Sequence, residues 1–400
     1  MEKKRIIILM HYMETGGAET SLLGLLESID YNSIDVDLFI YSHRGGLMAH
    51  IPEQANLLPE YKGYSLIEAP ITTAVRNGYL RLVIARLNAK YRHKRHLAQT
   101  TVPEGVDEAS VFGYVGKNVS AVMPDINPNT EYDLAVSFLT PHDYCLDHVR
   151  ARKKVAWIHT DYSRTYVNAR LEAPVWNAFD NIIAVSDDVA RNFEAIFPEA
   201  GSKIQVIENI LPKRYITNLA NRSLEESPER GDAMLLSIGR FTYAKNFEGI
   251  ASIAAALVRD YGIDVRWYIM GYGGDEELIR QSIVDAGMEQ HVFIIGPRSN
   301  PYPWIKACDI YVQPSRYEGK SVTVREAQLL HKPVVITDYP TSASQVKDGV
   351  DGIIAPYASL PKTVSELLRD TARRESIVDY LTENDYAFTD QINNFYALIP

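Results

Sequence analysis

Two glutamates in the last quarter of the sequence have the spacing of a ligand-binding pair. Glu318 lies in a loop after a predicted strand, and Glu326 lies within the predicted helix that follows. The first amides of a helix lack partners inside it, so those of Lys320, Ser321 and Val322 form a site for an anion. This arrangement suits a phosphorylated sugar compound. Glu318 would accept hydrogen bonds from sugar hydroxyls, and Glu326 would accept them from ribose hydroxyls.

Two cations lie in a loop that follows another predicted strand. Arg240 and Lys245 stand five positions apart, after the apolar segment Met234–Ile238. Because arginine presents a planar fork of donors and lysine a compact charge, the two side chains together can hold a diphosphate. We therefore predict a diphosphate site in this loop, with a pair of ordinary surface cations as the alternative.

Paired glycines mark a third candidate site near the start of the sequence. Gly16 and Gly17 lie between the first predicted strand, Arg5–Met10, and the helical pattern Ala18–Ile29. Glycines let the backbone approach a ligand closely, and the start of a helix carries the positive end of its dipole. Phosphate is the expected ligand, although the same residues would also form a tight turn.

A histidine and an aspartate follow a further predicted strand. His159 and Asp161 come after the segment Val155–Ile158. Ligands of α/β domains bind at the carboxyl ends of the strands, so both side chains are candidates for a site. Two alternatives remain open, a structural histidine held by Asp161 and an aspartate that orients an acceptor hydroxyl.

The elements that must position these residues form two similar patterns. The sequence has 400 residues, whereas single cores stop growing at roughly 250–300 residues. In both halves, short β-branched strands alternate with helices, which predicts two doubly wound, Rossmann-like α/β domains. We assign 1–210 to the N-terminal domain, 211–232 to a linker, 233–380 to the C-terminal domain and 381–400 to a helix that crosses back. The two domains are expected to face each other across a cleft.

Composition argues against several classes of function. The net charge of -10 disfavours nucleic-acid binding, which needs a basic face. Cys145 and Cys308 match no metal-ligand spacing, and Asp35-Val36-Asp37 is interpreted as the entry to a strand. We therefore expect no metal and no cofactor. The apolar run near the N-terminus is too short for the core of a signal peptide, so we expect a cytoplasmic protein.

A basic segment interrupts the first domain. Residues 69–103 contain no aspartate or glutamate, while arginines and lysines there alternate with leucine, valine and isoleucine. The pattern predicts a basic amphipathic helix. It either packs on the domain as a solvated helix or presents 76–96 to anionic lipid or to the diphosphate of an acceptor, at the inner face of the cell membrane.

Three of these motifs together resemble glycosyltransferase family four. They are Gly16-Gly17-Ala18-Glu19, Gly239-Arg240-x4-Lys245-Asn246 and Glu318-x7-Glu326, in this order over nearly the whole chain. The resemblance implies the GT-B architecture and retaining transfer of a sugar from a nucleotide-sugar donor, without a bound metal.

The resemblance also implies that the N-terminal domain, 1–210, binds the acceptor and that the C-terminal domain, 233–380, binds the nucleotide sugar. It implies roles for individual residues as well. Arg240 and Lys245 would hold the donor diphosphate, Glu318 would contact the transferred sugar and Glu326 the ribose. His159 would lie near the reacting sugar as a catalytic residue.

Further donor contacts follow from the same resemblance. Gly16 and Gly17 would contact the phosphate region from the other domain, and the nucleotide base would pack at Pro297. Members of the family often have Gly-Phe-Gly after the first glutamate, whereas this sequence has Gly319-Lys320-Ser321. Lys320 would therefore add a phosphate contact or reshape the sugar pocket.

The acceptor is suggested only by the wider resemblance. The segment 317–328 resembles bacterial enzymes of polysaccharide and capsule synthesis, whose acceptors are often sugars on a polyprenyl diphosphate. A saccharide acceptor and a UDP-sugar donor carrying a hexose or N-acetylhexosamine are the expectation. The alternatives are a GT-B nucleotide-sugar epimerase, a glycogen-type or sucrose-type transferase, and a non-catalytic GT-B partner subunit.

Overall fold

The computed structural model describes residues 3–14, 16–103, 106–224, 226–318 and 320–400, without the side chain of Arg164. Thr15 and Gly319, which belong to two of the predicted motifs, lie outside the described residues. The chain divides into two units. The first comprises 1–210 with 388–400, and the second comprises 211–387.

The first unit is built on a parallel sheet with the order β3-β2-β1-β5-β6-β8-β9. Ile6–Met10 is a continuous apolar run because this central strand is buried on both faces. A small separate sheet pairs β4 with β7. The strands are β1 (Lys4–Met10), β2 (Ile34–Ile40), β3 (Asn56–Leu57), β4 (Asp107–Glu108), β5 (Tyr132–Ser137), β6 (Ala151–Ile158), β7 (Thr165–Tyr166), β8 (Asn181–Ala184) and β9 (Ile204–Val206).

The helices of the first unit correct one prediction. The basic segment is two helices rather than one, because Gly78 adopts a φ of 79° and turns the chain between them. The helices are α1 (Gly17–Ser28), α2 (Lys62–Ser65), α3 (Ile71–Arg76), α4 (Leu80–Leu97), α5 (Val111–Ser120), α6 (Asp143–His148), α7 (Ala169–Ala178) and α8 (Asp187–Ile196). In the described ranges, none of the helices has both the length and the apolar character to cross a membrane.

The second unit repeats the doubly wound plan with the strand order β12-β11-β10-β13-β14-β15. Its strands are β10 (Ala233–Arg240), β11 (Val265–Tyr272), β12 (Val292–Ile294), β13 (Ile310–Gln313), β14 (Val334–Thr337) and β15 (Ile353–Ala355). Its helices are α9 (Lys213–Ala220), α10 (Ile250–Arg259), α11 (Glu276–Ala286), α12 (Tyr302–Ala307), α13 (Val322–Leu329), α14 (Leu360–Arg369) and α15 (Thr371–Glu383). Both units confirm the predicted α/β class.

Two predicted segments differ from the structure. The segment 211–232, expected to be a linker, contains α9, which packs on α12 and buries Ile216 and Leu219. The predicted C-terminal helix is shorter, α16 (Ile392–Tyr396). Tyr386 belongs instead to the second unit, where its hydroxyl donates to Asp351 at 2.7 Å.

Candidate functional site

Glu318 is held in place by a chain of hydrogen bonds at the end of β13. The Ser315 hydroxyl donates to Glu318 Oε1 at 2.6 Å, and Gln313 Nε2 donates to the Ser315 hydroxyl at 2.9 Å. The Tyr311 hydroxyl donates to Gln313 Oε1 at 2.9 Å. Tyr311, Gln313 and Ser315 are buried, so each of their polar groups needs the next one as its hydrogen-bond partner. The resulting network fixes the carboxylate of Glu318.

Lys245 and Glu318 form an ion pair, with 2.6 Å between Lys245 Nζ and Glu318 Oε1. Their side chains are only 18% and 11% exposed. The lysine stem crosses Gly239, where an added Cβ would lie 3.2 Å from Lys245 Cε. The structure therefore brings Lys245, which the sequence assigned to a diphosphate, into contact with Glu318, which the sequence assigned to a sugar.

Arg240 lies at the end of β10 and is exposed, outside this ion pair. The loop after it is anchored by Asn246, which belongs to the motif that carries the resemblance, and by Arg316, which the sequence analysis did not single out. Asn246 adopts a left-handed backbone with a φ of 54°, and its side chain donates to the Pro314 carbonyl at 3.1 Å. The Arg316 guanidinium donates to the Tyr243 carbonyl at 2.6 Å and lies 4.0 Å from the centre of the Tyr243 ring.

These anchors join the loop after β10 to the loop after β13, which is how Lys245 meets Glu318. The only signal in the sequence for the first anchor is an asparagine after Lys245, since asparagine tolerates left-handed backbone better than most residues. The sequence offers no corresponding signal for Arg316.

The start of α13 differs from the expected anion site at one residue. The Ser321 amide donates to Gln345 Oε1 at 2.7 Å, and Gln345 Nε2 donates back to the Ser321 carbonyl at 2.6 Å. The Ser321 amide is therefore occupied by Gln345 in this conformation. Its contact with a phosphate stays a prediction, and it requires Gln345 to move aside. The donor contacts expected of Lys320 and Val322 stay predictions.

Glu326 is buried within α13, 5% exposed, and accepts a hydrogen bond from the Tyr302 hydroxyl at 3.0 Å. Burial disfavours the charged carboxylate and raises the pKa of Glu326 to about 7, although the hydrogen bond from Tyr302 opposes this. The side chain can therefore accept hydrogen bonds as an anion or donate one as an acid close to neutral pH.

Close backbone approach shapes the strand ends where the base was expected. Gly271, at the end of β11, has a φ of 150°, and an added Cβ would lie 1.8 Å from the Gly239 carbonyl oxygen. Its amide donates to the Gly296 carbonyl at 3.2 Å. The loops after β10, β11 and β12 therefore meet at one edge, where Pro297 is exposed.

In the first unit, a carboxylate lies beside the paired glycines. Gly17 begins α1, and an added Cβ on Gly16 would lie 2.4 Å from Glu19 Oε2. Burial raises the pKa of Glu19. A phosphate at Gly16 and Gly17 stays a prediction, and it requires Glu19 to be protonated or to move aside.

His159 follows β6 and packs against aromatic rings, with its centroid 4.7 Å from that of Phe138. Burial lowers its pKa to about 3, so the imidazole is neutral. Its Nε2 is buried and has no hydrogen-bond partner in the part of the chain that the structure describes. A neutral imidazole with an unused nitrogen can contact a ligand by a hydrogen bond but not by charge.

Among the described residues, Asp161 forms no hydrogen bond with His159, although one alternative expected it to hold this histidine. Its Oδ1 accepts from the Ser163 amide and from Asn192 Nδ2, both at 2.9 Å. The carboxylate thus fixes the turn after β6, and its contact with an acceptor stays a prediction. Asp35 and Asp37 lie within β2, where Asp35 pairs with Lys3 at 3.1 Å.

Comparisons with known proteins agree with the fold. Residues 222–384 match the family model of glycosyl transferases group 1. The chain is 26% identical over 163 residues to N-acetylgalactosamine-N,N'-diacetylbacillosaminyl-diphospho-undecaprenol 4-alpha-N-acetylgalactosaminyltransferase of Campylobacter jejuni. It is 27% identical over 168 residues to the amylovoran biosynthesis glycosyltransferase AmsK of Erwinia amylovora. Each alignment covers 40% of this chain and 40% of the relative.

Solved structures resemble the chain over nearly its full length. TarM of S. aureus, solved with fondaparinux, alpha-GlcNAc-glycerol and UDP, has a TM-score of 0.65 and 14% identity over 99% of both chains. HepE of Anabaena, solved with UDP and glucose, has a TM-score of 0.61 and 17% identity over 98% of both chains. At these identities the likeness establishes the GT-B fold.

Proposed function

We propose that the protein is a retaining, metal-independent glycosyltransferase, because residues 222–384 match the family model of glycosyl transferases group 1 and the chain has the GT-B fold. It transfers a hexosyl or N-acetylhexosaminyl group from a UDP-sugar to a saccharide acceptor. The observation that carries this proposal is the Lys245–Glu318 pair on its buried hydrogen-bond network, within the region that matches the family.

The residues of the second unit account for donor binding without a metal. Cleavage of the donor leaves negative charge on the diphosphate, which Lys245, Arg240 and the helix dipole of α13 stabilise. Glu318 binds the hydroxyls of the transferred sugar, and the same carboxylate keeps Lys245 at the place where the charge develops. Departure of the diphosphate from the face that the acceptor attacks leads to retention.

The acceptor belongs to a class with a lipid carrier. The C. jejuni relative is named for a sugar acceptor on diphospho-undecaprenol, and AmsK is named for amylovoran biosynthesis. These names support a lipid-linked oligosaccharide and a role in cell-surface polysaccharide synthesis for this chain. His159 contributes a neutral hydrogen bond to the reacting sugar.

A donor-binding panel tests the proposal. UDP-sugars should raise the melting temperature of the full chain in the presence of EDTA, whereas GDP- and ADP-sugars should not, because the similar proteins TarM and HepE were solved with UDP. Transfer to a lipid-linked acceptor with retained anomeric configuration, followed by NMR, completes the test. Stabilisation that disappears with EDTA would contradict the metal-free mechanism, and binding without transfer or donor hydrolysis would favour the non-catalytic subunit.

The pKa of Glu326 predicts how donor affinity depends on pH. Ribose hydroxyls donate to the ionised carboxylate, which is the minor form below its pKa of about 7. Affinity for a UDP-sugar should therefore rise about tenfold between pH 6 and pH 8, as measured by calorimetry. Glu326→Gln should bind more weakly and without this pH dependence. A wild-type affinity that is equal at both pH values would contradict the assignment.

The outer face of α4 supports contact with a membrane surface. Leu80, Ile84, Leu87 and Tyr91 follow one another at helical spacing and are 59%, 67%, 50% and 66% exposed. Exposed cations flank this stripe, which are Arg81, Lys90, Lys94 and Arg95. An apolar stripe bordered by cations suits the interface of an anionic bilayer. We therefore extend the proposal to peripheral binding at the membrane that carries the acceptor.

Vesicle binding tests this surface. The protein should co-sediment with vesicles that contain phosphatidylglycerol and much less with pure phosphatidylcholine. Ile84→Ser combined with Leu87→Ser should weaken binding at least about tenfold, since each side chain loses apolar burial. The matched control is Leu278→Ser with Val284→Ser, two residues of α11 that are 53% and 55% exposed. Equal loss in both double variants would contradict a specific role for α4.

A further inference from the structure

A second concave site lies in the first unit, at the carboxyl edge of its sheet. His11 follows β1, Tyr41 follows β2, and Tyr144 lies on α6 after β5. Together with Arg44 and Glu68 they line a cavity of about 280 Å³. The chain order of the strands reverses between β1 and β5, and such switch points are where α/β sheets bind ligands.

Hydrogen bonds hold the polar rim of this cavity. His11 Nδ1 lies 2.9 Å from Glu68 Oε1, and Arg44 donates to Glu68 Oε2 at 3.1 Å. The hydrogen bond with His11 is the main reason that the pKa of Glu68 lies below its usual range. An ionised Glu68 accepts from the Nδ1–H of His11, so Nε2 is the ring nitrogen that remains for a ligand.

Two polar atoms of this cavity lack partners. In the described part of the chain, His11 Nε2 and the Tyr144 hydroxyl are buried and form no hydrogen bond. Tyr144 as a whole is completely buried. Buried polar groups are normally satisfied, and one without a partner marks a place that a ligand or water completes. The cavity therefore offers a ring nitrogen at His11 and a hydroxyl at Tyr144.

Aromatic packing makes the apolar wall rigid. The ring of Tyr41 lies 5.6 Å from that of Tyr144 and 5.4 Å from that of Tyr64, and Tyr64 lies 5.8 Å from Tyr144. Arg44 also lies 4.5 Å from the centre of the Tyr12 ring. A wall of fixed rings with a hydrogen-bonding rim suits a ligand with an apolar face and several hydroxyls.

Charge and size narrow the class of ligand. The positive charge of Arg44 is balanced by Glu68 and by Glu14, whose Oε1 lies 3.5 Å from Arg44 Nε. The rim therefore has no excess of positive charge with which to hold a phosphate. The volume of about 280 Å³ lies at the lower end of ligand pockets, which span roughly 300–1,000 Å³, and this limits the occupant to one small ring.

We propose that this cavity binds one uncharged pyranose ring, the terminal sugar of the acceptor. Glu68 accepts hydrogen bonds from its hydroxyls, His11 Nε2 forms one more, the Tyr144 hydroxyl donates one, and the tyrosine wall packs on the apolar face. The identity of the ring as part of the acceptor rests on the proposed function, whereas binding of the ring does not.

Saturation-transfer NMR on the full chain tests the site. The probes are the methyl α-glycosides of glucose, galactose and N-acetylglucosamine, without nucleotide. At least one should bind, and Glu68→Gln and Tyr144→Phe should each weaken it at least about tenfold. Glu53→Gln, which removes the same charge from an exposed site outside the cavity, should leave binding unchanged. Thermal melts and UDP-sugar binding of the variants should match wild type.

Each other outcome has a distinct meaning. Absence of binding by all three glycosides, or equal binding by wild type, Glu68→Gln and Tyr144→Phe, would overturn the inference. Competitive displacement of the glycoside by a UDP-sugar would show that the ring is the donor's and would overturn the acceptor assignment. Glycoside binding that persists in a protein that binds no nucleotide sugar would instead refute the proposed function and leave the ring site standing.

Discussion

Replacing Glu318 with glutamine should lower the rate of sugar transfer by about 10²–10³-fold, the usual effect of removing one preorganised electrostatic contact from an active site. Glutamine has nearly the same shape and can still accept from the Ser315 hydroxyl, which donates at 2.6 Å in the wild type. It cannot supply the charge that holds Lys245 Nζ at 2.6 Å. The variant therefore weakens the contact with the sugar, because a neutral amide binds hydroxyls less strongly than a carboxylate, and it loses the fixed position of the lysine.

Steady-state kinetics with a UDP-sugar and a lipid-linked acceptor measure this effect, and a thermal melt shows whether the fold is retained. The matched control is Glu366→Gln, which removes one partner of an exposed pair with Lys362 at 3.8 Å. Such surface pairs contribute little, so the control should keep wild-type rates and stability. A Glu318→Gln enzyme with a transfer rate within about twofold of wild type would contradict the proposed mechanism.

Replacing Phe395 with alanine should destabilise the first unit by about 3–5 kcal/mol, the usual cost of removing a buried phenylalanine side chain. Phe395 lies on α16 and is completely buried, with its ring 6.3 Å from that of Trp157 on β6. The neighbouring Tyr396 hydroxyl accepts from the Asp30 amide at 2.7 Å. These contacts attach the end of the chain to the sheet of the first unit.

Urea unfolding followed by tryptophan fluorescence measures the loss. Because the chain has two units, the transition of each must be fitted separately. Asn393→Ala changes an exposed residue of the same short helix and should shift the midpoint little. Truncation after Leu381 should destabilise the protein at least as much as Phe395→Ala. A truncated chain that melts at the wild-type temperature would refute this role of the C-terminal segment.

The sequence by itself determined the class of fold and most strand positions. The predicted segments Arg5–Met10 and Met234–Ile238 fall within β1 and β10, and Val155–Ile158 ends where β6 ends. Strands of a parallel sheet are buried on both faces, so they are visible as short apolar runs. The motifs that carry the family resemblance are also local, because each lies in one loop and the helix after it.

Only the tertiary structure decided which side chains meet. Lys245 and Glu318 are 73 positions apart, and His11 and Glu68 are 57 apart. Local patterns report burial and helix starts, but a hydrogen-bond partner is set by how the strands are ordered in the sheet. The hydrogen bond between the Ser321 amide and Gln345 could not be predicted for the same reason, because the two residues are 24 positions apart.

Secondary structure can also depend on contacts between residues that are distant in the sequence, and helix α9 is an example. Its eight residues lie in a segment that was predicted to be a linker. A helix this short is marginal alone, so its sequence carries little helical signal. It is stabilised by burying Ile216 and Leu219 in its packing on α12, more than eighty positions further along the chain. Elements that depend on such distant contacts are decided by the fold as a whole.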